Sequence, residues 1–206
     1  CCAPWGSTHS ASWDLIRDND FLSGLFVWTG FDYLGEPTPY QWPSKSSYFG
    51  IIDMAGFPKD SYYMYQSEWT NKDVLHVFPH WNWEEGQNID IWAYTNFEEV
   101  ELFVNGVSKG VKKKDTAADK IVWNVDFHAG SIKAIGKNAN GKSKEVVINT
   151  AGKPEKIQLI ADRSKINADN KDLSFITVNI LDKDGNIVPH ADNMIHFNIE
   201  EDKVLI

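Results

Sequence analysis

Residues 25–43 read LFVWTGFDYLGEPTPYQWP, and this segment predicts more of the structure than any other. It begins as a short apolar run between Gly24 and Gly30, a pattern typical of a strand buried on both faces. The remainder holds three prolines and two glycines, which keep it from continuing as a strand or becoming a helix. The sequence therefore predicts a buried strand that opens into a rigid loop.

The loop combines carboxylates with large aromatic rings. Asp32 and Glu36 supply the carboxylates, and the rings belong to Phe31, Tyr33, Tyr40 and Trp42. A sugar offers apolar faces on which rings stack and hydroxyl groups whose hydrogen bonds carboxylates accept. A loop of this kind at the carboxyl end of a parallel strand fits a carbohydrate site. A packed aromatic core beneath the loop is the alternative, since rings dominate cores as well as sites.

The segment FVWTGFDYLGEPTPY, residues 26–40, resembles the end of the catalytic barrel in glycoside hydrolase family 2, particularly its bacterial β-galactosidase branch. The resemblance continues through WPSKSSYFGIID at 42–53, GFPKD at 56–60, HWNW at 80–83 and VELFVNG at 100–106. It covers most of the chain up to residue 150. By this resemblance Trp28 closes the last barrel strand and forms the floor of the sugar-binding subsite.

Four side chains are the candidate substrate-binding residues. Trp28 is predicted to stack on a sugar ring, with a plain core tryptophan as the alternative. Asp32 and Glu36 are predicted to accept hydrogen bonds from sugar hydroxyls. The alternative for both is that they pin the loop by bonding backbone N–H groups. Trp42 is predicted to form a wall of the subsite, and the alternative is a packing role.

No catalytic residue is expected in this chain. A retaining glycosidase needs two carboxylates about 5 Å apart. The resemblance implies two glutamates on earlier barrel strands, and neither matching motif occurs here. Glu36 and Glu68 are the only glutamates before residue 84. One lies in a Gly-Glu-Pro loop and the other on a predicted helix facing away from the strand ends, so the chain alone is predicted to hydrolyse nothing.

The fold class is predicted to be mainly β with a small α/β part. Residues 1–72 contain a predicted helix at 8–19, the buried strand, and a helix after Pro58. By resemblance they form the C-terminal part of a TIM-barrel, or (β/α)8, glycosidase domain. This segment holds 16 of the 27 aromatic residues of the chain, and the aromatic content falls beyond it. Because a βα fragment cannot close a barrel, residues 1–72 are expected to be poorly stable unless they dock on the next domain.

Residues 73–152 change to a period of two, which predicts short antiparallel strands. Asn105-Gly106 suits a type I′ hairpin turn, and Asn140-Gly141 repeats that signal. The pattern predicts an immunoglobulin-like β-sandwich. Residues 153–206, with predicted strands at 156–161, 173–181 and 195–200, resemble a partial invasin-type immunoglobulin-like domain.

Charge and composition limit the classes of partner that this chain is expected to bind. The net charge is −9, and no Lys/Arg-rich face is present, which argues against nucleic acid or an anionic membrane as a partner. No apolar run approaches the length of about 18 residues that a membrane-spanning helix needs, so no membrane insertion is expected. Cys1 and Cys2 are adjacent and are expected to be free thiols, since neighbouring cysteines rarely bridge.

Both ends of the sequence look cut. The chain begins at Cys1 without a signal peptide and ends at Ile206 inside a predicted strand. It is therefore expected to be an internal fragment, with the remainder of its own polypeptide as a partner. By the resemblance, the full-length protein is expected in the periplasm or outside the cell.

The remaining motifs are each better explained by an ordinary structural role. His76 and His80 have a metal-like spacing, but Pro79 breaks the helix that would join them. The Asp182–Asn186 segment starts like a calcium loop without its later glutamate, so a tight turn is the prediction. No metal and no cofactor are therefore expected. Three tryptophans suit a core or seam better than a second sugar platform: Trp81, Trp83 and Trp92.

Two classes of function fit these observations. The first is a piece of a retaining exo-β-glycosidase, expected to be a β-galactosidase, acting on terminal β-galactosides of an oligosaccharide substrate. The second is a non-catalytic module that binds carbohydrate or spaces other domains. β-Glucuronidase and β-mannosidase compete within the first class, because the family shares its scaffold among sugars. The loop has no Arg/Lys/Asn cluster for a uronate carboxylate, which favours a neutral hexoside.

Overall fold

The computed structural model describes residues 6–198, which form two compact units. The first unit contains residues 6–79 and 84–148, and the second contains residues 80–83 and 149–198. Within this described range the chain is mainly β, with two short helices and several antiparallel sheets. The cysteine pair and the end of the last predicted strand lie outside the described residues. The domain boundaries at 72/73 and 152/153 remain predictions.

Both predicted helices are present in the first unit. Helix α1 spans His9–Arg17, and Thr8 caps it, because its Oγ1 accepts a hydrogen bond from the Ala11 N–H at 3.1 Å. Helix α2 spans Asp60–Trp69 and begins two residues after Pro58, which had been predicted at its first position. The acidic residue in the first turn of α2 complements the positive end of the helix dipole.

Seven strands follow in chain order and form two sheets. They are β1 (Leu75–Phe78), β2 (Asn88–Thr95), β3 (Glu99–Val104), β4 (Val107–Lys113), β5 (Ile121–Asp126), β6 (Ser131–Lys137) and β7 (Ser143–Asn149). One sheet has the order β1-β2-β5 and the other β4-β3-β6-β7. The pairs β1–β2, β2–β5, β3–β4 and β3–β6 are antiparallel. The immunoglobulin-type assignment of this arrangement remains a prediction.

The predicted period of two is confirmed by burial. Burial alternates along β3, β5 and β6, so each of these strands has one covered face. Ile91 on β2 lies opposite Trp123 on β5, and both are buried. Leu102 on β3 lies opposite Ala134 on β6, and both are again buried. Residues from both sheets therefore form the apolar core of this unit.

The two predicted hairpin turns form with different geometries. Asn105 and Gly106 have φ values of 49° and 79°, and Val104 pairs with Val107, so the predicted two-residue type I′ turn is confirmed. In the second turn, the positive φ of 85° belongs to Gly141. The Gly141 N–H donates to the Asn138 carbonyl at 3.0 Å, as in a three-residue loop with a glycine bulge.

Helix α2 packs against the three-stranded sheet. Met64 and Tyr65 on the helix form one buried cluster with Tyr94 on β2. Glu68, also on α2, accepts a hydrogen bond from Trp13 Nε1 at 3.1 Å and pairs with Lys114 Nζ at 2.5 Å. The helical segment is therefore docked on the sheet. Residues 1–72 were expected to be stable only if they dock in this way. Five partly buried side chains pack on the cluster: Trp13, Val27, Ile51, Tyr63 and Phe78.

The prediction of a strand at 25–29 buried on both faces is wrong. No strand forms there, the Phe26 side chain is fully exposed, and the Trp28 side chain is 73% exposed. A parallel strand is buried where neighbours flank it on both sides. Among the described residues, the backbone of 29–32 pairs on one side only, with 49–52, through hydrogen bonds of 2.9–3.5 Å and one parallel bridge between Phe31 and Ile52. The second neighbour that would bury the Phe26 side chain is absent from the described residues, so Phe26 is exposed.

The second unit contains one antiparallel strand pair, β8 (Lys156–Ala161) with β9 (Ile176–Leu181), among its described residues. Strand β8 has its predicted bounds, whereas β9 starts three residues later than the predicted 173–181. Residues 195–198 form no strand. The 80–83 segment joins this unit through Asn82, whose side chain donates to the Ala151 carbonyl at 2.8 Å and accepts from the Ala151 N–H at 2.9 Å.

Candidate functional site

The candidate site is the loop at residues 24–50, which lies in the first unit. Its base is closed by Tyr33 and Ser47: the Tyr33 N–H donates to Ser47 Oγ at 3.1 Å, and the Ser47 N–H donates to the Tyr33 carbonyl at 2.9 Å. Ser47 is fully buried. Farther along the loop, the Gly35 N–H donates to the Lys45 carbonyl at 2.8 Å. These bonds hold the two arms of the loop together without a helix or regular strand.

Asp32 is a buried carboxylate inside this loop, with its side chain 5% exposed. Its Oδ1 accepts hydrogen bonds from the Gly50 N–H at 2.8 Å and from Lys59 Nζ at 2.9 Å. Its Oδ2 lies 2.7 Å from the same ammonium group. The structure therefore shows the loop-pinning contacts that were the alternative for Asp32, and a sugar-binding role remains a prediction.

Gly50 lies where no side chain could fit. A Cβ at this position would lie 2.3 Å from the Asp32 nitrogen, 2.5 Å from the Phe31 carbonyl carbon and 2.6 Å from the Ile52 oxygen. All three are backbone atoms, which cannot rotate away. The absence of a side chain at Gly50 thus allows the 29–32 and 49–52 backbones to approach closely.

Trp28, Tyr33 and Glu36 form a linear hydrogen-bonded group. Trp28 Nε1 donates to the Tyr33 hydroxyl at 3.2 Å, and the two rings meet edge to face at a centroid distance of 6.3 Å. The Tyr33 hydroxyl donates to Glu36 Oε2. This bond to a carboxylate raises the pKa of Tyr33. The peptide between Trp28 and Thr29 is cis.

Trp42 is the second exposed indole of the loop, with 80% of the residue accessible. Lys45 Nζ lies 5.3 Å from its ring centroid, a cation–π distance. Tyr40 and Tyr48 meet edge to face nearby in the sequence, at 5.0 Å between centroids. Trp28 and Trp42 are thus both accessible to a ligand, and the structure does not place either in the core of the described chain.

The loop can stack on and hydrogen-bond a ligand, but its carboxylates do not make a catalytic pair. The other early glutamate, Glu68, is occupied by Trp13 and Lys114, and its side chain is only 13% exposed. Glu36 accepts the Tyr33 hydroxyl. Neither contact resembles a nucleophile facing an acid across a sugar bond.

Three contributors to the loop were missed from the sequence: Ser47, Gly50 and Lys59. Lys59 carried a usable signal. It occupies the N-cap position of α2 without making a side-chain capping hydrogen bond, and a positive charge there opposes the helix dipole. A lysine at that position indicates that its charge has a partner elsewhere, and the structure identifies the partner as Asp32.

The weaker motifs have ordinary structural roles. His76 bonds Asp60 and stacks on Tyr63, while His80 stacks on Trp83. Across residues 6–198, no group of three or more metal-ligating side chains is present, and no helix is long and apolar enough to cross a bilayer. Trp81 is fully buried, and Lys120 covers the ring of the half-buried Trp92.

The Asp182–Asn186 segment is a tight turn, as predicted. The buried Asp182 carboxylate accepts hydrogen bonds from the backbone N–H groups of Gly152, Asp184 and Asn186 at 2.8–2.9 Å. It also accepts one from the Asn186 side chain at 3.0 Å. These donors, led by the Gly152 N–H, hold the pKa of Asp182 far below its usual range.

Comparison with known proteins identifies the family. Residues 157–206 match the family model described as glycoside hydrolase family 2 C-terminal domain 5, and residues 86–145 match a domain of unknown function (DUF4982). A β-galactosidase from Bacteroides ovatus is 58% identical over 201 residues, which is 97% of this chain and 24% of that protein. The chain belongs to glycoside hydrolase family 2.

Two further glycosidases are similar to this chain. The crystal structure of a β-glycosidase from Bacteroides vulgatus superposes with a TM-score of 0.82 at 36% identity, over 90% of this chain and 24% of that one. A β-glucuronidase from Formosa agariphila is 27% identical over 153 residues, covering 73% of this chain and 16% of that protein. The chain therefore spans a quarter or less of the length of these relatives.

Proposed function

We propose that this chain is the C-terminal part of a retaining exo-β-glycosidase, a β-galactosidase that hydrolyses terminal β-galactosides. The observation that carries the proposal is the similarity to the Bacteroides ovatus β-galactosidase, which extends over nearly the whole chain. The site is consistent with a neutral sugar. Lys59 is neutralised by Asp32, and Lys45 is the one other cation between residues 18 and 71.

The finer architecture follows from the same proposal. Residues 1–72 are the end of a TIM barrel, 73–152 an immunoglobulin-like sandwich, and 153–206 part of a second immunoglobulin-like domain. The one-sided parallel pairing of 29–32 with 49–52, followed by α2, supports the barrel assignment. The exposed side chains of Phe26, Phe31 and Leu34 would be covered by the remaining barrel strands, since exposed apolar patches mark interaction surfaces.

In this proposal Trp28 forms the floor on which the sugar stacks, and Trp42 forms a wall. Glu36 and Asp32 accept hydrogen bonds from sugar hydroxyls, Asp32 through lone pairs that its contacts with Lys59 and the Gly50 N–H leave free. An indole face is apolar and covers the C–H face of a hexose, while the carboxylates select its hydroxyl pattern. The substrate is an oligosaccharide with a terminal β-galactose.

The catalytic carboxylates belong to the remainder of the polypeptide. Retaining hydrolysis requires an acid/base and a nucleophile about 5 Å apart, and the early glutamates of this chain are committed to Tyr33, Trp13 and Lys114. The reaction needs neither metal nor cofactor. We also propose that the full-length protein acts in the periplasm or outside the cell, without membrane insertion.

Turnover of chromogenic substrates tests this proposal. We expect the full-length polypeptide to hydrolyse a nitrophenyl β-galactoside in preference to the matched β-glucuronide and β-mannoside. We expect the 206-residue chain to give no turnover, because it lacks the catalytic pair. Activity of the chain alone would contradict the absence of that pair, and a preference for the β-glucuronide would replace the galactoside assignment.

A non-catalytic carbohydrate-binding or spacer module is the second candidate. The observation in its favour is that the two exposed indoles, Trp28 and Trp42, lie in a loop without a catalytic pair. Calorimetric titration of the chain with galacto-oligosaccharides separates the two. A self-sufficient module binds them with its own loop, whereas a barrel fragment leaves the sugar site incomplete and binds weakly or not at all.

A further inference from the structure

The group formed by Trp28, Tyr33 and Glu36 has a fixed direction. An indole N–H can only donate and an ionised carboxylate can only accept. The Tyr33 hydroxyl lies between them, accepting from Trp28 at 3.2 Å and donating to Glu36. Its proton is therefore directed to the carboxylate, and its lone pair is directed to the indole. A tyrosine hydroxyl is protonated at neutral pH, and the hydrogen bond to Glu36 raises the pKa of Tyr33 further.

Both ends of Tyr33 are held. Its backbone is bonded twice to Ser47, which is fully buried. Its hydroxyl is bonded to Glu36, which follows Gly35 in the loop. There Gly35 has a φ of 103° and Glu36 a φ of 42°, a left-handed conformation that is uncommon outside glycine. Strained residues of this kind persist where the surrounding structure fixes them, and they cluster at ligand sites.

Trp28, in contrast, has little packing to fix its ring. It is 73% exposed, and its contacts with Tyr33 are an edge-to-face ring contact and one hydrogen bond. An indole that must rotate into place loses conformational entropy when a sugar stacks on it, whereas a ring that is already held does not. The neighbouring phenol is therefore in a position to control how well the indole binds.

We propose that Tyr33 is a positioning residue for Trp28, and that Glu36 acts through Tyr33 by orienting its hydroxyl. This inference rests on the proposed function, because it assigns Trp28 to the sugar. This indirect role is separate from the direct contact with the sugar proposed for Glu36. The Glu36 carboxylate orients the Tyr33 hydroxyl, and this hydroxyl fixes the plane of the Trp28 indole. The sugar then stacks on that indole.

A double-mutant cycle separates positioning from direct contact. In the full-length polypeptide, Tyr33→Phe removes the hydroxyl and keeps the ring. We expect it to lower kcat/KM for a nitrophenyl β-galactoside about fivefold in the wild-type background. In the Trp28→Ala background it should change kcat/KM by less than about 1.5-fold, because the group on which it acts is gone. Tyr63→Phe, a tyrosine on α2 stacked on His76, is the matched control and should change neither.

Two kinetic outcomes overturn the inference. An equal loss from Tyr33→Phe in both backgrounds would mean that the hydroxyl touches the substrate itself. No loss in either background would mean that the hydroxyl does not position the indole. For Glu36→Gln, whose amide oxygen can still accept the phenol proton, we expect a smaller loss than for Glu36→Ala, and the part of either loss that acts through Tyr33 should disappear once Trp28 is absent.

A spectroscopic measurement keeps the inference testable if the proposed function fails. The full-length polypeptide is labelled with 5-fluorotryptophan, and the Trp28 fluorine signal is assigned from the Trp28→Phe variant. We expect Tyr33→Phe to shift or broaden that signal and leave the other tryptophan signals in place. An unmoved Trp28 signal would refute the positioning role, whether or not the protein is a galactosidase.

Discussion

Gly50 is the residue on which the shape of the candidate loop depends most. The Gly50 N–H donates to the Asp32 carboxylate, and the space that a Cβ would fill is already occupied by backbone atoms at 2.3–2.6 Å. A side chain at this position must push apart the two backbones that frame the site. The loop that carries Trp28 is therefore sensitive to one methyl group on the opposite arm.

We predict that Gly50→Ala destabilises the chain by about 1–3 kcal/mol, the usual cost of overpacking. Gly30→Ala is the matched control, since a Cβ there meets nothing within 4 Å. It should change the free energy of unfolding by less than about 0.5 kcal/mol. Urea denaturation of both variants measures the difference, and equal stabilities would contradict the close approach described here.

Asp182 makes the stability of the second unit depend on pH. Its pKa is lowered in the folded state by four hydrogen bonds to the carboxylate, so folding favours the ionised form. This stabilisation is present above the unfolded-state pKa of about 4 and is lost as the pH falls below it. We predict that Asp182→Asn lowers thermal stability at pH 7 and that the difference from wild type shrinks below pH 4.

The measurement is a series of melting curves between pH 2.5 and pH 7. Asp184→Asn is the matched control in the same turn, because its exposed carboxylate accepts none of the four bonds. A difference between wild type and Asp182→Asn that stays constant down to pH 2.5 would contradict the assigned role of the carboxylate.

Individual residue types could be read from the sequence more reliably than their partners. The carboxylate–ring composition of the loop was visible, and Trp28 is accessible as a stacking residue must be. The ion pair between Asp32 and Lys59 was not visible, because 27 residues separate the partners and their meeting depends on the fold. The two ends of the hydrogen-bonded group of Trp28, Tyr33 and Glu36 lie only eight residues apart in the sequence, yet the group depends on the positive φ of Glu36, which the sequence does not reveal.

At the scale of elements, predictions held where the information was local. The Asn105-Gly106 turn forms as type I′ because both residues tolerate positive φ and the flanking strands alternate. Helix α1 starts where a capping threonine permits. The prediction of a buried strand at 25–29 failed because burial depends on neighbouring strands. An apolar run favours burial but gives no information on whether those neighbours are present.

The seven strands β1–β7 should behave as one folding element. Their two sheets share an apolar core with fully buried residues in β2, β3 and β6. We predict that residues 74–150 expressed alone unfold in a single cooperative transition. Residues 1–72 expressed alone are the comparison and should show none, since the α2 cluster is completed by Tyr94. A broad melt of 74–150 would argue against an independent sandwich.

At the scale of the whole molecule, the chain order and the compact units do not coincide. Residues 80–83 lie between β1 and β2 in sequence but belong to the second unit, where Asn82 is clamped to Ala151. No local pattern predicts this, because the two partners are 69 residues apart. The family assignment could be predicted, since its motifs extend over much of the chain and do not depend on any single contact.

Under the proposed function, the exposed indole of Trp28 binds the terminal sugar of the substrate. The measurement that tests it most directly is kcat/KM of the full-length polypeptide on a β-galactoside, with and without Trp28→Ala. Trp69→Ala is the control, a half-exposed tryptophan on α2 outside the loop. We expect a loss of about 30-fold for Trp28→Ala, or about 2 kcal/mol of transition-state binding, and little change for the control. An unchanged kcat/KM for Trp28→Ala would contradict it.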